Sequence, residues 1–394
     1  MTPLALSAFT VTSALGAGQA ATLGALQAQR SGLAPLRFEA LPLATWTGEV
    51  DGVDAVALPD ALAAFDCRNN RLAWLALQHD GLLERVAAAR ARWGTQRVGV
   101  FLGTSTSGLL QTEHAYRRRG PDGALPADFD YGATQNSFSL ADFVGRALAL
   151  NGPRWVVSTA CSSSAKVFGN AERLIRAGLI DAAVVGGVDS LCLTTLYGFN
   201  ALELLSGTIC RPWDASRNGL SIGEAAAFAL LERDCAAPQA WLLGVGESND
   251  GYHMSTPHPE GAGAIAAMRA ALADAGLQPA DIDYINLHGT ATPSNDAAED
   301  RAVASVFGSD TPCSSTKGAT GHTLGAAGGV EAAIALLSIR HGLMPGGLNT
   351  EQIDPALRLN YLRANRAAPV RRVLSNSFGF GGSNASLVFG EAPS

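Results

Sequence analysis

The stretch Ser158-Thr159-Ala160-Cys161-Ser162-Ser163-Ser164-Ala165-Lys166 places a thiol at a junction. Residues 154–157 before it read as a short buried strand, and Val167, Phe168, Ala171, Leu174 and Ile175 follow at helical spacing. A thiol at a helix start faces unpaired N–H groups and the positive end of the dipole, which favour the thiolate nucleophile. Taken alone, the segment fits an inert cysteine among small residues equally well. Three downstream segments hold the other reactive groups. Asn286-Leu287-His288-Gly289-Thr290-Ala291-Thr292-Pro293-Ser294-Asn295-Asp296 carries a histidine off an apolar strand into a turn-rich loop. Ser315-Thr316-Lys317-Gly318-Ala319-Thr320-Gly321-His322 packs small residues around a lysine and a second histidine. Ser375-Asn376-Ser377-Phe378-Gly379-Phe380-Gly381-Gly382-Ser383-Asn384 is a glycine loop between two strands. None of these loops reads GxxxxGK[ST], and the lysine loop lacks the strand-GxGxxG-helix context, so phosphate binding ranks below acyl or thiol chemistry.

Composition narrows the class. The 394 residues are 47% hydrophobic, enough to bury a large core, with net charge -7 and no sustained basic stripe. Nucleic acid is therefore excluded as a partner. Six cysteines lie scattered without CxxC pairs, which suggests neither a zinc site nor a disulfide framework and places the chain in a reducing cytoplasm. The N-terminus has no Lys or Arg before Arg30, unlike a signal peptide, and no apolar run reaches the roughly 18 residues of a membrane helix, so no membrane partner is expected. Of 28 basic residues only Lys166 and Lys317 are lysine, and both lie in the reactive segments. Arg does not replace Lys where a compact charge on a flexible stem is needed.

The elements that must position these groups alternate. Residues 3–12 read as an opening strand, 71–93 as a helix, 98–102 as a buried strand and 116–131 as an exposed excursion. Helix 138–150 leads to the cysteine strand, with strands at 182–188, 224–231 and 240–247 beyond it. The second half gives helix 264–275, strand 283–287, helix 296–307, helix 329–341 and strands 372–377 and 385–389. Such alternation is α/β, helices layered on largely buried sheet. Gly103-Thr104-Ser105-Thr106 after one strand is echoed by Gly289-Thr290-Ala291-Thr292 after another, and Ser158-Thr159 before Cys161 by Ser315-Thr316 before Lys317. Two homologous halves, 1–235 with the cysteine and 236–394 with the His/Lys/His groups and the glycine loop, account for both echoes.

Together, the four segments resemble the motif set of the elongating β-ketoacyl-acyl carrier protein synthases, the KAS I and KAS II type of the thiolase superfamily. The resemblance runs from about residue 71 to 389, and the Lys317 to His322 segment matches the Cys-His-His subfamily. It implies a thiolase fold: duplicated βαβαβαββ halves in a five-layered α-β-α-β-α sandwich. It implies Cys161 as acyl acceptor, His288 and His322 as the pair acting on malonyl thioester, and Lys317 as the residue that orders them. Phe380, with Phe378 beside it, matches the gate whose N–H joins that of Cys161 in an oxyanion hole. Thr290 and Thr292 match the threonines that bind the phosphopantetheine arm. Glu331 and Asp296 match structural acids, with no resident metal. No cofactor is bound covalently, because substrates ride on the phosphopantetheine of acyl carrier protein. The rivals are a non-catalytic chain-length-factor-like subunit, which lacks the cysteine, and a Cys-His thioester hydrolase, which needs neither the second histidine nor Lys317.

Three finer expectations follow from the resemblance. The protein pairs edge to edge, as a homodimer or with a chain-length-factor-like subunit, with residues 134–138 lining the partner's pocket. Arg68, Arg71 and Arg117 to Arg119 are candidates for docking the acidic carrier. Thr106 falls where elongating synthases line the acyl tunnel, and its hydroxyl either faces the chain, favouring a specialised synthase such as those of aryl polyene pigments, or bonds backbone around its turn. Lys166 has no role in this scheme.

Overall fold

Val98-Gly99-Val100-Phe101-Leu102 and Ala182-Ala183-Val184-Val185 are apolar at every position because both faces of their strands are covered, and all of these residues are buried. In the computed structural model, which describes residues 2–391, ten strands carry the architecture. They are β1 (Leu4–Ser13), β2 (Val98–Gly103), β3 (Arg154–Val157), β4 (Ala182–Asp189), β5 (Ala225–Glu232), β6 (Ala240–Asn249), β7 (Tyr284–Asn286), β8 (Cys313–Ser314), β9 (Arg372–Gly379) and β10 (Ser383–Gly390). The first five lie in spatial order β1-β5-β4-β2-β3 and the second five in order β6-β10-β9-β7-β8. In each set the first two pairings are antiparallel and the last two parallel. The sets are copies, joined where Leu4–Leu6 of β1 meets 240–242 of β6.

The helices used below are α1 (Arg68–Leu77), α2 (Leu82–Trp93), α3 (Phe138–Ala147), α4 (Ser163–Arg176), α5 (Leu193–Ala201), α6 (Ala262–Ala275), α7 (Pro293–Phe307) and α8 (Ala327–His341). Val167, Phe168 and Ile175 of α4 and Val330, Ile334 and Leu337 of α8 share one core with inward residues of both strand sets, so these two helices form the middle layer. Helices α1 to α3 cover the outer face of the first set and α6 and α7 that of the second. This is the five-layered sandwich. Close contact of α4 with α8 needs Gly328, where a Cβ would stand 2.6 Å from the Ala165 nitrogen. The echoes fall on equivalent strands: β2 with β7, and β3 with β8.

Several expectations need correction. The 71–93 segment is two helices, because Asp80 and Gly81 take positive φ (59° and 68°) and the Asp80 carboxylate accepts from Thr10 Oγ1 (2.7 Å) and Gln19 N–H (3.0 Å). That tie to β1 outweighs the continuing helical periodicity. Four helices, Gly18–Gln27, Leu109–Arg117, α5 and the one-turn Lys317–Thr320, were not expected at all. The β3 strand is half-buried rather than buried, since it stands at the end of the strand order and pairs only with β2. No helix among the described residues is long and apolar enough to cross a membrane.

Arg68 is not a docking residue. It is 5% exposed, and its guanidinium donates to Glu224 Oε2 (2.9 Å), Glu224 Oε1 (2.6 Å) and Asp54 (2.7 Å). Glu224 also accepts the Val50 and Leu191 N–H groups, so the pair ties α1 to the head of β5. Removing one partner of such a pair leaves a buried charge unmatched, at about 3–5 kcal/mol. Arg68→Met is expected to lower the denaturant midpoint accordingly; an unchanged midpoint contradicts the assignment. The other candidates are also engaged: Arg71 with Asp66, Arg117 with Glu39, Arg118 with Asp128, and Arg119 over the Tyr116 ring.

Candidate active site

Cys161 sits in a single 3-10 turn (Ala160–Ser162) between β3 and α4, 4% exposed. The serines that follow it hold this turn. Ser162 Oγ donates to the Thr159 carbonyl, Ser163 Oγ to the Ala160 carbonyl, and Ser164 Oγ accepts the Gly329 N–H across to α8. Lys166 is remote from the chemistry, 3.7 Å from Glu247 on β6.

Around the thiol the two halves converge. His322 Nε2 lies 2.9 Å from Cys161 Sγ, and the His288 and His322 rings stand edge to face at 5.4 Å. One donor atom from each of Cys161, His288 and His322 falls within 4.8 Å of the others. Lys317 is buried; its ammonium donates to the His288 carbonyl (2.6 Å), reaches His288 Nδ1 at 3.5 Å and is paired with Glu331. An ammonium only donates, so the His288 Nδ1 facing it carries the lone pair. The His288 proton is thereby assigned to Nε2, the nitrogen free to donate to a ligand.

Burial and the Lys317 charge hold both histidines well below the ordinary imidazole value, His322 adding its own effect on His288. Both rings stay neutral. Their NMR resonances are expected not to move between about pH 8 and pH 6; a midpoint near 6.5 in either contradicts this. The signs for stability are opposed. Protonation of the unfolded histidines removes stability as pH falls below about 6.5. Burial raises Asp296 to about 6 and Glu299 to about 7, so their contribution is present at low pH and is lost as pH rises through those values.

The thiol departs from the expectation of a preformed thiolate. Burial pushes Cys161 up to about 11, against the opposing pull of Lys317 and of the Phe380 N–H on the sulfur. Desolvation outweighs both, and Cys161 rests as a thiol. The Phe380 N–H at the sulfur places it beside the Cys161 backbone, where an oxyanion would need two donors. Phe378 packs 5.8 Å from the His288 ring, and Gly381 takes φ 77°, which lets the gate loop turn.

The other expected residues divide. Thr290 and Thr292 line the same cleft as Cys161, His288, His322, Phe378 and Phe380, with their hydroxyls 2.9 Å apart. Asp296, at the start of α7, accepts the Trp213 and Ala291 N–H groups and so fixes the turn after His288. Thr106 is a correction. Its Oγ1 donates to Asp189 (2.8 Å) and accepts the Ser190 N–H (3.3 Å), and it is not among the cleft-lining residues. The hydroxyl-lined acyl wall is absent because Asp189 uses the hydroxyls of Thr104, Ser105 and Thr106 alike.

Sequence reasoning missed three contributors. Asp189, fully buried at the end of β4, ties the loop after β2 to the Gly325 N–H (2.6 Å), three residues beyond His322. Glu299 accepts the N–H groups of His288 and Gly289 at 2.8 Å each. Phe199 on α5 stacks on Phe380 at 5.5 Å. The acid three positions after Asp296 on a helix was a usable signal for Glu299, because both face the same loop; Phe199 had none, since α5 itself went unread.

Comparison with known proteins gives the family. Residues 63–237 match the beta-ketoacyl synthase N-terminal domain and 239–351 its C-terminal domain. The chain is 35% identical to 3-oxoacyl-[acyl-carrier-protein] synthase 2 of Coxiella burnetii over 96% of both proteins. It is 42% identical to the mitochondrial 3-oxoacyl-[acyl-carrier-protein] synthase of Arabidopsis thaliana over 60% of this chain and 56% of that one. Among solved structures, a ketosynthase (ApeO) in complex with its chain length factor (ApeC) from Xenorhabdus doucetiae superposes with TM-score 0.91 at 40% identity, covering 99% of this chain and 98% of that one.

Proposed function

Since this chain belongs to the β-ketoacyl synthase family, we propose that the site around Cys161 performs a decarboxylative Claisen condensation, lengthening a carrier-bound acyl chain by two carbons. The observation that carries this is the juxtaposition of the Cys161 thiol, His322 at 2.9 Å and a His288 whose tautomer is set by Lys317. The chemistry uses no bound cofactor: both substrates arrive as thioesters on the phosphopantetheine of acyl carrier protein, held at Thr290 and Thr292.

In the first half-reaction the Cys161 sulfur attacks the acyl thioester carbonyl. The oxyanion is held by the N–H groups of Cys161 and Phe380, such donors being worth about 3 kcal/mol each. Collapse expels the carrier thiol, which takes up the proton lost by Cys161. Malonyl thioester then loses carbon dioxide, and its C–C electron pair becomes an enolate. Neutral His288, donating through Nε2, and His322 stabilise the enolate oxygen. The enolate carbon attacks the acyl-Cys161 carbonyl, forms the new C–C bond and releases the Cys161 sulfur for reprotonation.

The test is carbon dioxide release from malonyl-acyl carrier protein together with a 3-oxoacyl product two carbons longer. Hydrolysis of acyl-Cys161 without carbon–carbon bond formation would replace this reading with a thioesterase. The cysteine and both histidines set the chain apart from a non-catalytic chain-length-factor-like subunit.

For the partner, the outer edge of β3 pairs with no described strand, and Tyr131 and Phe138 are exposed beside residues 134–138. A second subunit adds its own edge there. The likeness to a ketosynthase solved with its chain length factor supports a heterodimer and a specialised pathway, the aryl polyene branch, over a housekeeping homodimer. Preference for a saturated over a polyunsaturated acyl carrier of equal length would overturn that assignment. The six cysteines, all unpaired, fit a cytoplasmic enzyme.

A further inference from the structure

By residue type, Cys161, His288 and His322 are a zinc set. Thiolate sulfur and neutral imidazole nitrogen are what a soft divalent cation takes, and three protein ligands with a fourth position open is the pattern of reactive zinc sites. One donor atom from each of the three falls within 4.8 Å of the others, and all three residues are buried. Burial with the Lys317 charge also keeps both rings neutral, the form that ligates. Ligands at about 2.0–2.3 Å from one zinc stand about 3.6 Å from each other, so the 2.9 Å between His322 Nε2 and Cys161 Sγ needs to widen only slightly. All three line one cleft, so the fourth position faces its open space.

What opposes a metal is the group behind His288. A histidine that ligates zinc hands its other ring N–H to an acceptor, a carboxylate or a carbonyl, which leaves the ligating nitrogen its lone pair. Here the polarity is reversed. The group facing His288 Nδ1 at 3.5 Å is the Lys317 ammonium, which only donates. Glu331, the carboxylate that might have served as acceptor, is paired with Lys317 instead. To ligate through Nε2, His288 must move its proton to Nδ1, against that ammonium. Lys317 cannot turn away, because it is buried and held by Glu331 and by the His288 carbonyl at 2.6 Å. A dication entering the cluster also meets a fixed positive charge next to one of its three ligands.

We propose that Cys161, His288 and His322 form a latent site for zinc, which Lys317 keeps closed by placing a donor where a metal site needs an acceptor. Lys317 thereby keeps the thiol free for its substrate wherever zinc competes for thiol and imidazole ligands. With the ammonium removed, zinc binding breaks the Cys161 S–H bond, forms an S–Zn bond and passes the thiol proton to water, with no change of oxidation state. The proposal stands on the donor geometry and holds or fails independently of the condensing reading.

The test is zinc binding to the full chain, measured by competition with a chromophoric chelator, in the wild type and in Lys317→Met combined with Glu331→Gln, which leaves no carboxylate unmatched. The double variant is expected to bind zinc about 10–100-fold more tightly, the range over which the outer partner of a ligating histidine moves metal affinity. Adding Cys161→Ala is expected to cancel that gain, which separates this cluster from surface histidines and acids. Zinc is expected to protect Cys161 from alkylation by iodoacetamide, read by intact-protein mass, in the double variant and not in the wild type. Cobalt(II) is expected to give a sulfur-to-metal charge-transfer band in the double variant alone. Equal zinc affinity in both chains, or a gain that persists without Cys161, overturns the proposal. So does zinc protection of Cys161 in the wild type, a result that depends on no variant folding.

Discussion

Cys161→Ala is expected to leave the protein folded and to reduce condensation by on the order of 10⁴-fold or more, the scale seen when a covalent nucleophile is removed. The side chain fills little space between Ala160 and Ser162, and the turn is held by the Ser162, Ser163 and Ser164 hydroxyls rather than by the sulfur. Loss of one buried sulfur costs about 1 kcal/mol, so the melting temperature moves by less than about 4 °C. His288→Ala and His322→Ala are expected to divide the reaction differently, retaining part of the Cys161 acylation while stopping carbon dioxide release. Condensation surviving in Cys161→Ala would remove the basis of the covalent mechanism.

Lys317→Met is expected to fail twice, in stability and in decarboxylation. The ammonium is the partner of Glu331, which lies on α8 with a carboxyl pushed up to about 7 by burial despite Lys317. Leaving that carboxylate unmatched costs about 3–5 kcal/mol when it is ionised, and less where it takes up a proton, so the loss is greatest above neutral pH. The same ammonium sets the His288 tautomer, so decarboxylation falls with it. Lys317→Met combined with Glu331→Gln separates the two effects: stability returns and carbon dioxide release does not. Wild-type release in the double variant would show Lys317 to be purely structural. Lys317→Arg keeps the charge but is expected to be markedly impaired, because a planar fork does not place one donor nitrogen on Glu331, the His288 carbonyl and Nδ1 together.

Much of this was legible in the chain itself. The continuous apolar runs of β2, β4 and β5 required strands covered on both faces, and their alternation with helices required layers. The echoes of Gly103-Thr104 with Gly289-Thr290, and of Ser158-Thr159 with Ser315-Thr316, marked equivalent strand ends before any coordinates placed them. Residue type and spacing marked the segments that hold Cys161, His288, Lys317 and His322, and the resemblance of the four segments together to a known motif set gave these residues their expected roles. Tertiary structure alone decided the rest. Whether the thiol rests ionised depends on burial from every side, and desolvation outweighed the pull of Lys317 and of the Phe380 N–H. Whether Thr106 meets substrate depends on Asp189, 83 positions away, taking its hydroxyl. Whether arginines near the N-terminal helices can greet a carrier depends on Glu224, 156 positions beyond Arg68, and on acids brought in by other loops. A local pattern fixes which face of an element is buried, but the partner of each polar group is chosen by chain returning from far along the sequence, and no local period encodes that choice.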